Sequence, residues 1–266
     1  MNAYPSVLWG RAGVILASVV VIAFLLAPIV LVITYAFSAS NVQTFPIQAW
    51  SLKWLHQAMN DQQVRESAGI SVQVACLATA LATMLGCLAA FAIHSFKFFG
   101  RDSAVFFLTL PIALPGIITG MAMSSFFAFM GMHLSFWTLV VAHATFCTPI
   151  VYNTVVGRLA RLPQSFTEAS ADLGGDGFYT FVRITLPLVG SAIAAAALLA
   201  FALSFDEVIV TTFTAGTQTT LPLWVLGSIR LGQSLPEVNV VVSAVIIFTL
   251  IPVLLVQRLS GDSSRV

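Results

Sequence analysis

The chain has 266 residues, of which 59% are hydrophobic and 8% are charged, and its formal net charge is +1. A soluble domain needs roughly a quarter of its residues charged to cover its surface, so this composition is that of a protein covered mostly by lipid. The near-zero net charge excludes a binder of polyanions such as nucleic acids. The three cysteines lie in apolar stretches without metal-site spacing, so we interpret them as small core residues rather than as a disulfide framework.

Six apolar runs are long enough to cross a bilayer, which takes about 20 helical residues. They cover residues 14–37, 68–93, 104–130, 136–157, 187–211 and 238–257. We therefore predict an all-α membrane protein with six transmembrane helices, in a single transmembrane domain over 1–266. The first run is too long for the core of a signal peptide and is predicted to remain uncleaved.

The basic residues between the runs predict the orientation through the positive-inside rule. With the N-terminus in the cytoplasm, the inner segments hold Arg11, Lys97, Arg101, Arg158, Arg161, Arg183, Arg258 and Arg265. The outer segments hold Lys53, Arg65 and Arg230. The inner side carries the excess, so both termini are expected in the cytoplasm.

Two aromatic residues stand out in the longest outer segment, 38–66. Trp50 and Trp54 are amphipathic rings of the kind that lie at the membrane–water interface, and we interpret them as anchors there.

The third apolar run contains two prolines, Pro111 and Pro115, and two glycines. Pro115 removes a backbone hydrogen bond and predicts a kink, which is tolerated at membrane depth against a translocation path. Gly116 and Gly120 follow it, and small residues also serve close helix packing. The sequence leaves both interpretations open.

The inner segment 158–187 predicts a short helix between the fourth and fifth runs. Ser165 followed by Glu168 has the spacing of a capping box, so a helix is expected to begin there. Gly174 supplies a left-handed stop, and Pro187 suits the first turn of the fifth span. The residues at helical spacing, which give one apolar face, are Phe166, Ala169 and Leu173. These features alone fit an ordinary surface helix or a rigid knob that docks into another protein.

This segment resembles the EAA loop of ABC importer permeases. The matching residues are Glu168-Ala169, Gly174, Ile184 and Leu186-Pro187, with Ser170 in place of the family's second alanine. The resemblance implies a type I importer fold whose coupling helix sits in a cleft of the ATPase subunit. Glu168 and Gly174 would be the main docking residues, and the other candidates are Ser165, Ala169 and Asp172.

The sequence contains no Gly-x-x-x-x-Gly-Lys-Ser/Thr loop to cradle phosphates. ATP and Mg²⁺ are therefore expected on a separate ATPase chain, and this chain is expected to hold no cofactor, metal or catalytic residue. The resemblance further implies a homologous permease subunit, two copies of a P-loop ATPase and a periplasmic solute-binding protein as partners in the inner membrane.

The resemblance covers nearly the whole chain and is to the spermidine/putrescine branch, in which this would be the second permease. The segments that carry it are 144–149, 203–208, 221–222 and 236–239. Some polyamine permeases carry an acid where this chain has Gly116. Aminobutyrate, opine-like compounds and other amino-group solutes therefore remain alternatives to putrescine and spermidine.

Two adjacent acids, Asp206 and Glu207, lie in the outer part of the fifth run. Ionisable groups at membrane depth cost roughly 3 kcal/mol each on insertion scales and usually face a pathway. They would suit a cationic amine through charge-assisted hydrogen bonds, with Asp206 favoured. The alternative is that they pair with a partner permease or lie near the interface in water.

Two rival functions predict other sequence features. An ion-coupled secondary transporter is expected to show inverted repeats and paired broken helices, and we find neither in the sequence. An intramembrane hydrolase needs a nucleophile with a base, and Ser204, near Asp206, has no evident histidine partner.

Overall fold

The computed structural model describes residues 5–232 and 234–261, with side chains from 13 onward except at 252–253 and 255–261. Arg265 therefore lies outside the described residues, and so do the side chains of Arg11 and Arg258. The described helices are α1 (Pro5–Ala36), α2 (Lys53–Asn60), α3 (Gln62–Ser95), α4 (Arg101–Ala113), α5 (Gly116–Phe129), α6 (Phe136–Leu159), α7 (Ser165–Asp172), α8 (Gly177–Thr180), α9 (Leu186–Phe205), α10 (Ile209–Thr214), α11 (Leu221–Leu231) and α12 (Leu235–Gly261). Within these residues strand pairing is limited to one isolated bridge, between Ser38 and Trp50, so the all-α prediction is confirmed.

The predicted spans fall on these helices, with two of them interrupted. Four stretches are long and apolar enough to cross a membrane, and α4 with α5 forms a fifth that is bent by 112°. The sixth predicted run lies in α12, whose described apolar part, Leu235–Ile251, is shorter. A count of six is therefore approximately supported, and the assignment of 1–266 to one domain remains a prediction.

One compact unit combines the chain up to Gln62 with Gly227–Ile246. Its centre is Trp54 on α2, which is 6% exposed and donates from Nε1 to the carbonyl of Ser38 at 3.0 Å. Trp50 is 65% exposed. The interpretation of Trp54 as an interface anchor is therefore wrong, because its buried indole N–H binds the loop that follows α1.

The same unit contains a buried carboxylate near the start of α12. Glu237 is 1% exposed, and its Oε2 accepts a hydrogen bond from Gln57 Nε2 at 3.1 Å. Burying a carboxylate is costly unless it is hydrogen-bonded, so this contact fastens α2 to α12.

The second compact unit combines Gln63–Leu226 with the chain from Ile247. Its central helix is α6, in which most of the apolar window is buried. The core is formed by small and β-branched side chains from α3, α6 and α9, which are Ala82, Ala90, Cys147, Val151, Val155, Val189, Ala196 and Ala200. Close packing of small residues holds membrane helices together where the hydrophobic effect does not act between them. Cys147 is thus a core residue as predicted, whereas Cys76 is exposed.

Candidate functional site

The predicted coupling helix is present as α7, which begins at Ser165 and ends at Asp172. Its C-terminus is closed by two reversed hydrogen bonds, from Gly175 N to Ser170 O at 2.8 Å and from Gly174 N to Ala171 O at 2.9 Å. This is the Schellman arrangement, which requires a left-handed residue after the helix. Gly174 has φ of +81°, so the predicted glycine stop is confirmed.

The N-terminus of α7 differs from the prediction. Ser165 is the first helical residue, the capping position is Gln164, and no side chain caps the helix. The carbonyl of Pro163 instead accepts from Phe166 N at 3.3 Å, and that of Gln164 accepts from Glu168 N at 3.1 Å. The capping-box assignment is therefore wrong, because the chain already turns helically before Ser165.

The candidate docking residues share one surface property. All five are solvent-exposed, namely Ser165, Glu168, Ala169, Asp172 and Gly174. Beside them Leu173 is 90% exposed and Phe166 is 46% exposed. The apolar face of α7 is therefore left uncovered by the described part of the chain. Its role in docking stays a prediction.

A buried hydroxyl pair holds α7 against the segment that follows. Ser170, the residue that replaces the pattern's second alanine, is 5% exposed, and its Oγ lies 2.7 Å from Oγ1 of Thr180. Thr180 donates its own proton to the carbonyl of Asp176 at 2.8 Å, so Ser170 is the donor in the pair. Gly175 also has to be glycine, since a Cβ there would lie 2.5 Å from Ser170 Oγ. The sequence predicted neither the contact between Ser170 and Thr180 nor the close approach of Gly175 to Ser170.

The chain rises from α8 into α9 through one π-helical turn, Phe181–Thr185, in which Leu186 N donates to Phe181 O. Pro187 lies in the first turn of α9, as predicted. A proline ring crowds the carbonyl four residues before it and offers no N–H. The widened turn accommodates that loss, so α8, the π-helical turn and α9 form one continuous helix from Gly177 to Phe205.

The third predicted span is broken at Pro115. Leu114 and Pro115 are both extended, with ψ of 145° and 135°, and they separate α4 from α5. Proline disfavours helical geometry in the residue before it and cannot donate a backbone hydrogen bond. The predicted kink is therefore confirmed as a complete break.

The fifth predicted span is also broken, at Asp206–Val208, between α9 and α10. Asp206 is exposed, and the structure gives its carboxylate no hydrogen bond to a described group. Glu207 is half-buried, and its Oε1 accepts from Val210 N at 3.0 Å, so that it caps the first turn of α10. The two acids thus differ, since the Glu207 carboxylate accepts a backbone hydrogen bond and the Asp206 carboxylate is exposed.

The two breaks lie close to each other, because α5 packs against α10. A Cβ placed on Gly116 would lie 3.5 Å from Ile209 Cγ2, in ordinary contact. A Cβ on Gly120 would lie 2.8 Å from the Phe213 ring and 3.3 Å from Val210 Cα. Gly120 therefore serves close helix packing, whereas the four residues proposed for the pathway, Pro115, Gly116, Asp206 and Glu207, flank the junction of two broken helices. Whether solute passes there stays a prediction.

Replacing Gly120 by alanine is expected to destabilise the protein by about 1–3 kcal/mol through overpacking against α10. Gly190 on α9 is the matched control, since a Cβ there meets nothing within 4 Å. Its alanine variant is expected to gain up to about 1 kcal/mol from lower backbone freedom. Thermal unfolding of both purified variants in detergent measures this, and a Gly120→Ala protein as stable as Gly190→Ala would contradict the packing.

A buried histidine connects the helices around the second break. His143 on α6 is 1% exposed, with Nδ1 2.9 Å from Ser204 Oγ and Nε2 2.9 Å from Thr211 Oγ1. The expectation that Ser204 has no histidine partner is therefore wrong. A hydrolase still gains little from this pair, because Ser204 is 3% exposed and the far nitrogen contacts a threonine rather than an acid.

Comparison with known proteins places this fold and loop in a family. Residues 82–261 match the family described as "Binding-protein-dependent transport system inner membrane component". The chain is 34% identical over 232 residues to the putrescine transport system permease protein PotI of Escherichia coli (strain K12), with 84% of this chain and 82% of that protein covered. It is 32% identical over 246 residues to the spermidine/putrescine transport system permease protein PotC of the same strain, covering 91% and 92%.

Solved structures support the architecture. A chain from the crystal structure of a bacterial alginate ABC transporter in complex with an alginate pentasaccharide-bound periplasmic protein superposes with a TM-score of 0.70 at 12% identity, covering 97% of this chain and 94% of that one. At this identity the likeness shows the fold alone. The helices, the loop before α9 and the matched residues together make this chain a member of the binding-protein-dependent transport system inner membrane component family.

Proposed function

We propose that this chain is one permease subunit of an ATP-driven importer of polyamines, in the putrescine and spermidine class. The observation that carries the solute class is the identity of 34% and 32% to permeases named for putrescine and for spermidine/putrescine, over most of each chain. The exposed Asp206 carboxylate at the junction of two broken helices supports it, since an alkylammonium group is stabilised by a carboxylate.

The working complex contains a homologous permease, two copies of a P-loop ATPase and a periplasmic solute-binding protein. The uncovered face of α7 supports docking to the ATPase. ATP with Mg²⁺ binds to the ATPase chains, and this chain carries out no bond chemistry. ATP binding draws the coupling helices together and turns the cavity outward, and solute released by the binding protein passes inward after hydrolysis.

The chain lies in the inner membrane with both termini in the cytoplasm. The excess of basic residues on that side supports this orientation through the positive-inside rule. The same orientation places α7 where a cytoplasmic ATPase can reach it. Two broken helices are present although no such pair was expected from the sequence, so that argument against an ion-coupled secondary transporter fails. The family name counts against it instead, since it specifies transport that depends on a binding protein.

Calorimetric titration of the cognate binding protein with putrescine, spermidine and aminobutyrate tests the solute class. We expect tight binding of at least one polyamine and weak binding of aminobutyrate. The opposite order would contradict the polyamine assignment and favour the amino-group alternatives, with which Gly116 is consistent. The permease role would stand in either case.

A further inference from the structure

The break at Asp206–Val208 interrupts the helix, so α10 is joined to α9 by three non-helical residues. A short helix of six residues, Ile209–Thr214, is marginal by itself, since helices of this length are stabilised mainly by packing. Its direction therefore depends on side-chain contacts. That direction also determines where the three intervening residues point, Asp206 among them.

Helix α6 holds α10 at two levels. At one end, Thr138 Oγ1 lies 3.1 Å from the carbonyl oxygen of Thr214 and shares its proton between that oxygen and Ser135 O, at 2.8 Å. One to two turns along, His143 contacts Thr211 at 2.9 Å. His143 also contacts Ser204 on α9 at 2.9 Å. One imidazole thus bridges the two helices on either side of the break.

The hydrogen bonds of this bridge have one consistent direction. Thr211 donates its hydroxyl proton to the carbonyl of Glu207, so its oxygen can only accept from His143, and Nε2 must carry the proton. Neutral imidazole has one donor and one acceptor, and Nδ1 consequently accepts from the Ser204 hydroxyl. The bridge runs from Ser204 through His143 and Thr211 to the backbone of Glu207, beside Asp206.

All three side chains are buried, with His143 at 1%, Ser204 at 3% and Thr211 at 0% exposure. A leucine in place of His143 would fill this space without the desolvation that a polar ring requires. Leucine makes no directional contact, and van der Waals packing fixes the rotation of α10 less sharply than the hydrogen bonds of His143 to Ser204 and Thr211 do.

Resting on the proposed place of Asp206 in the path of a cationic solute, we infer that His143 is a positioning residue that sets the direction of Asp206 by bridging α9 and α10. It touches no solute itself. His143 affects transport only by fixing how α10 is oriented relative to α9, and thereby where the Asp206 carboxylate lies.

The first experiment measures hydrogen–deuterium exchange of the backbone in the purified, assembled importer. His143→Leu is expected to raise the exchange rate of amides 206–212 about tenfold, which corresponds to losing two buried hydrogen bonds of modest net strength. His143→Gln, whose amide can both donate and accept, is expected to restore most of the protection. Thr148→Val is the matched control, because that buried hydroxyl on the same helix donates only to Ala144 O, within α6.

The second experiment is a double-mutant cycle on uptake in proteoliposomes with the ATPase, partner permease and binding protein present. We expect His143→Leu to reduce uptake about tenfold in the wild-type chain but less than twofold in the Asp206→Asn chain, because coupled residues are not additive. A purely structural role for His143 predicts the same factor in both backgrounds, and that result would overturn the inference.

Two outcomes separate this inference from the proposed function. Unchanged exchange at 206–212 in His143→Leu overturns the bridge, whatever Asp206 does. If exchange rises but Asp206→Asn transports normally, the assignment of Asp206 to the pathway has failed. The role of His143 in uptake is then overturned with it, although the bridge between the helices stands. Should His143→Leu not assemble, Thr211→Val removes the same bridge with a side chain of equal shape and carries both tests.

Discussion

Gly174→Asp is expected to leave the chain inserted and assembled but to lower solute-stimulated ATP hydrolysis by about tenfold or more. Most residues with a side chain pay about 1–2 kcal/mol in the left-handed conformation, and aspartate and asparagine pay less; φ at Gly174 is +81°. The two reversed hydrogen bonds that end α7 depend on that conformation. The surface presented to the ATPase would therefore shift. The measurement is ATPase activity of the reconstituted importer with and without the loaded binding protein.

Two further variants separate backbone strain from added charge. Gly174→Asn has nearly the same shape as aspartate and no charge, so equal loss in both variants indicates strain. Gly177→Asp adds the same charge three residues on, at a glycine without a left-handed φ and with nothing within 4 Å of a Cβ. We expect it to remain coupled. Normal stimulated hydrolysis in Gly174→Asp would eliminate the proposed docking role.

Asp206→Asn is expected to reduce uptake of a dicationic solute at least tenfold while assembly and basal ATP hydrolysis are retained. The exposed carboxylate has no described partner, so its removal leaves no buried group unsatisfied. What is lost is the charge-assisted contact with an ammonium group, about 1.5–3 kcal/mol for a hydrogen bond to a charged group. Initial rates of putrescine uptake in proteoliposomes measure this effect.

Glu207→Gln is the neighbouring control, since it removes a carboxylate from the next residue. The glutamine oxygen can still accept from Val210 N and cap α10. Uptake is expected to stay near the wild-type rate. Equal damage from both substitutions would mean that net charge at the break matters rather than the position of Asp206, and unaltered uptake in Asp206→Asn would remove that residue from the path.

The fold was predictable where a local signal was strong. Apolar runs located the spans, and Pro115 predicted a kink because a proline acts on its own backbone. The break at Asp206–Val208 was not predicted, since no proline or glycine marks it and the side-chain contacts around it join residues far apart in sequence. Gly174 was predictable because left-handed geometry is specific to few residues, whereas the Ser165–Glu168 spacing failed because helical turning had already begun upstream.

The candidate site was predictable in the loop and not around the second break. His143 carries no local signal, because its partners Ser204 and Thr211 are 61 and 68 residues away along the chain. Ser170 differs from the alanine of the loop pattern by one hydroxyl, and the partner of that hydroxyl is known only when Thr180 is placed beside it. Such pairs belong to the tertiary structure rather than to any motif.

The uncovered apolar end of α7 has a consequence for how the importer is made. Leu173 at the end of α7 is 90% exposed and Phe178 on the adjoining α8 is 77% exposed, and under the proposed docking role a subunit without its ATPase presents both to water. Exposed apolar surface favours unspecific association. Under the proposed docking role, permease made in excess of the ATPase would keep this apolar surface uncovered, so we expect the two chains to be needed in matched amounts.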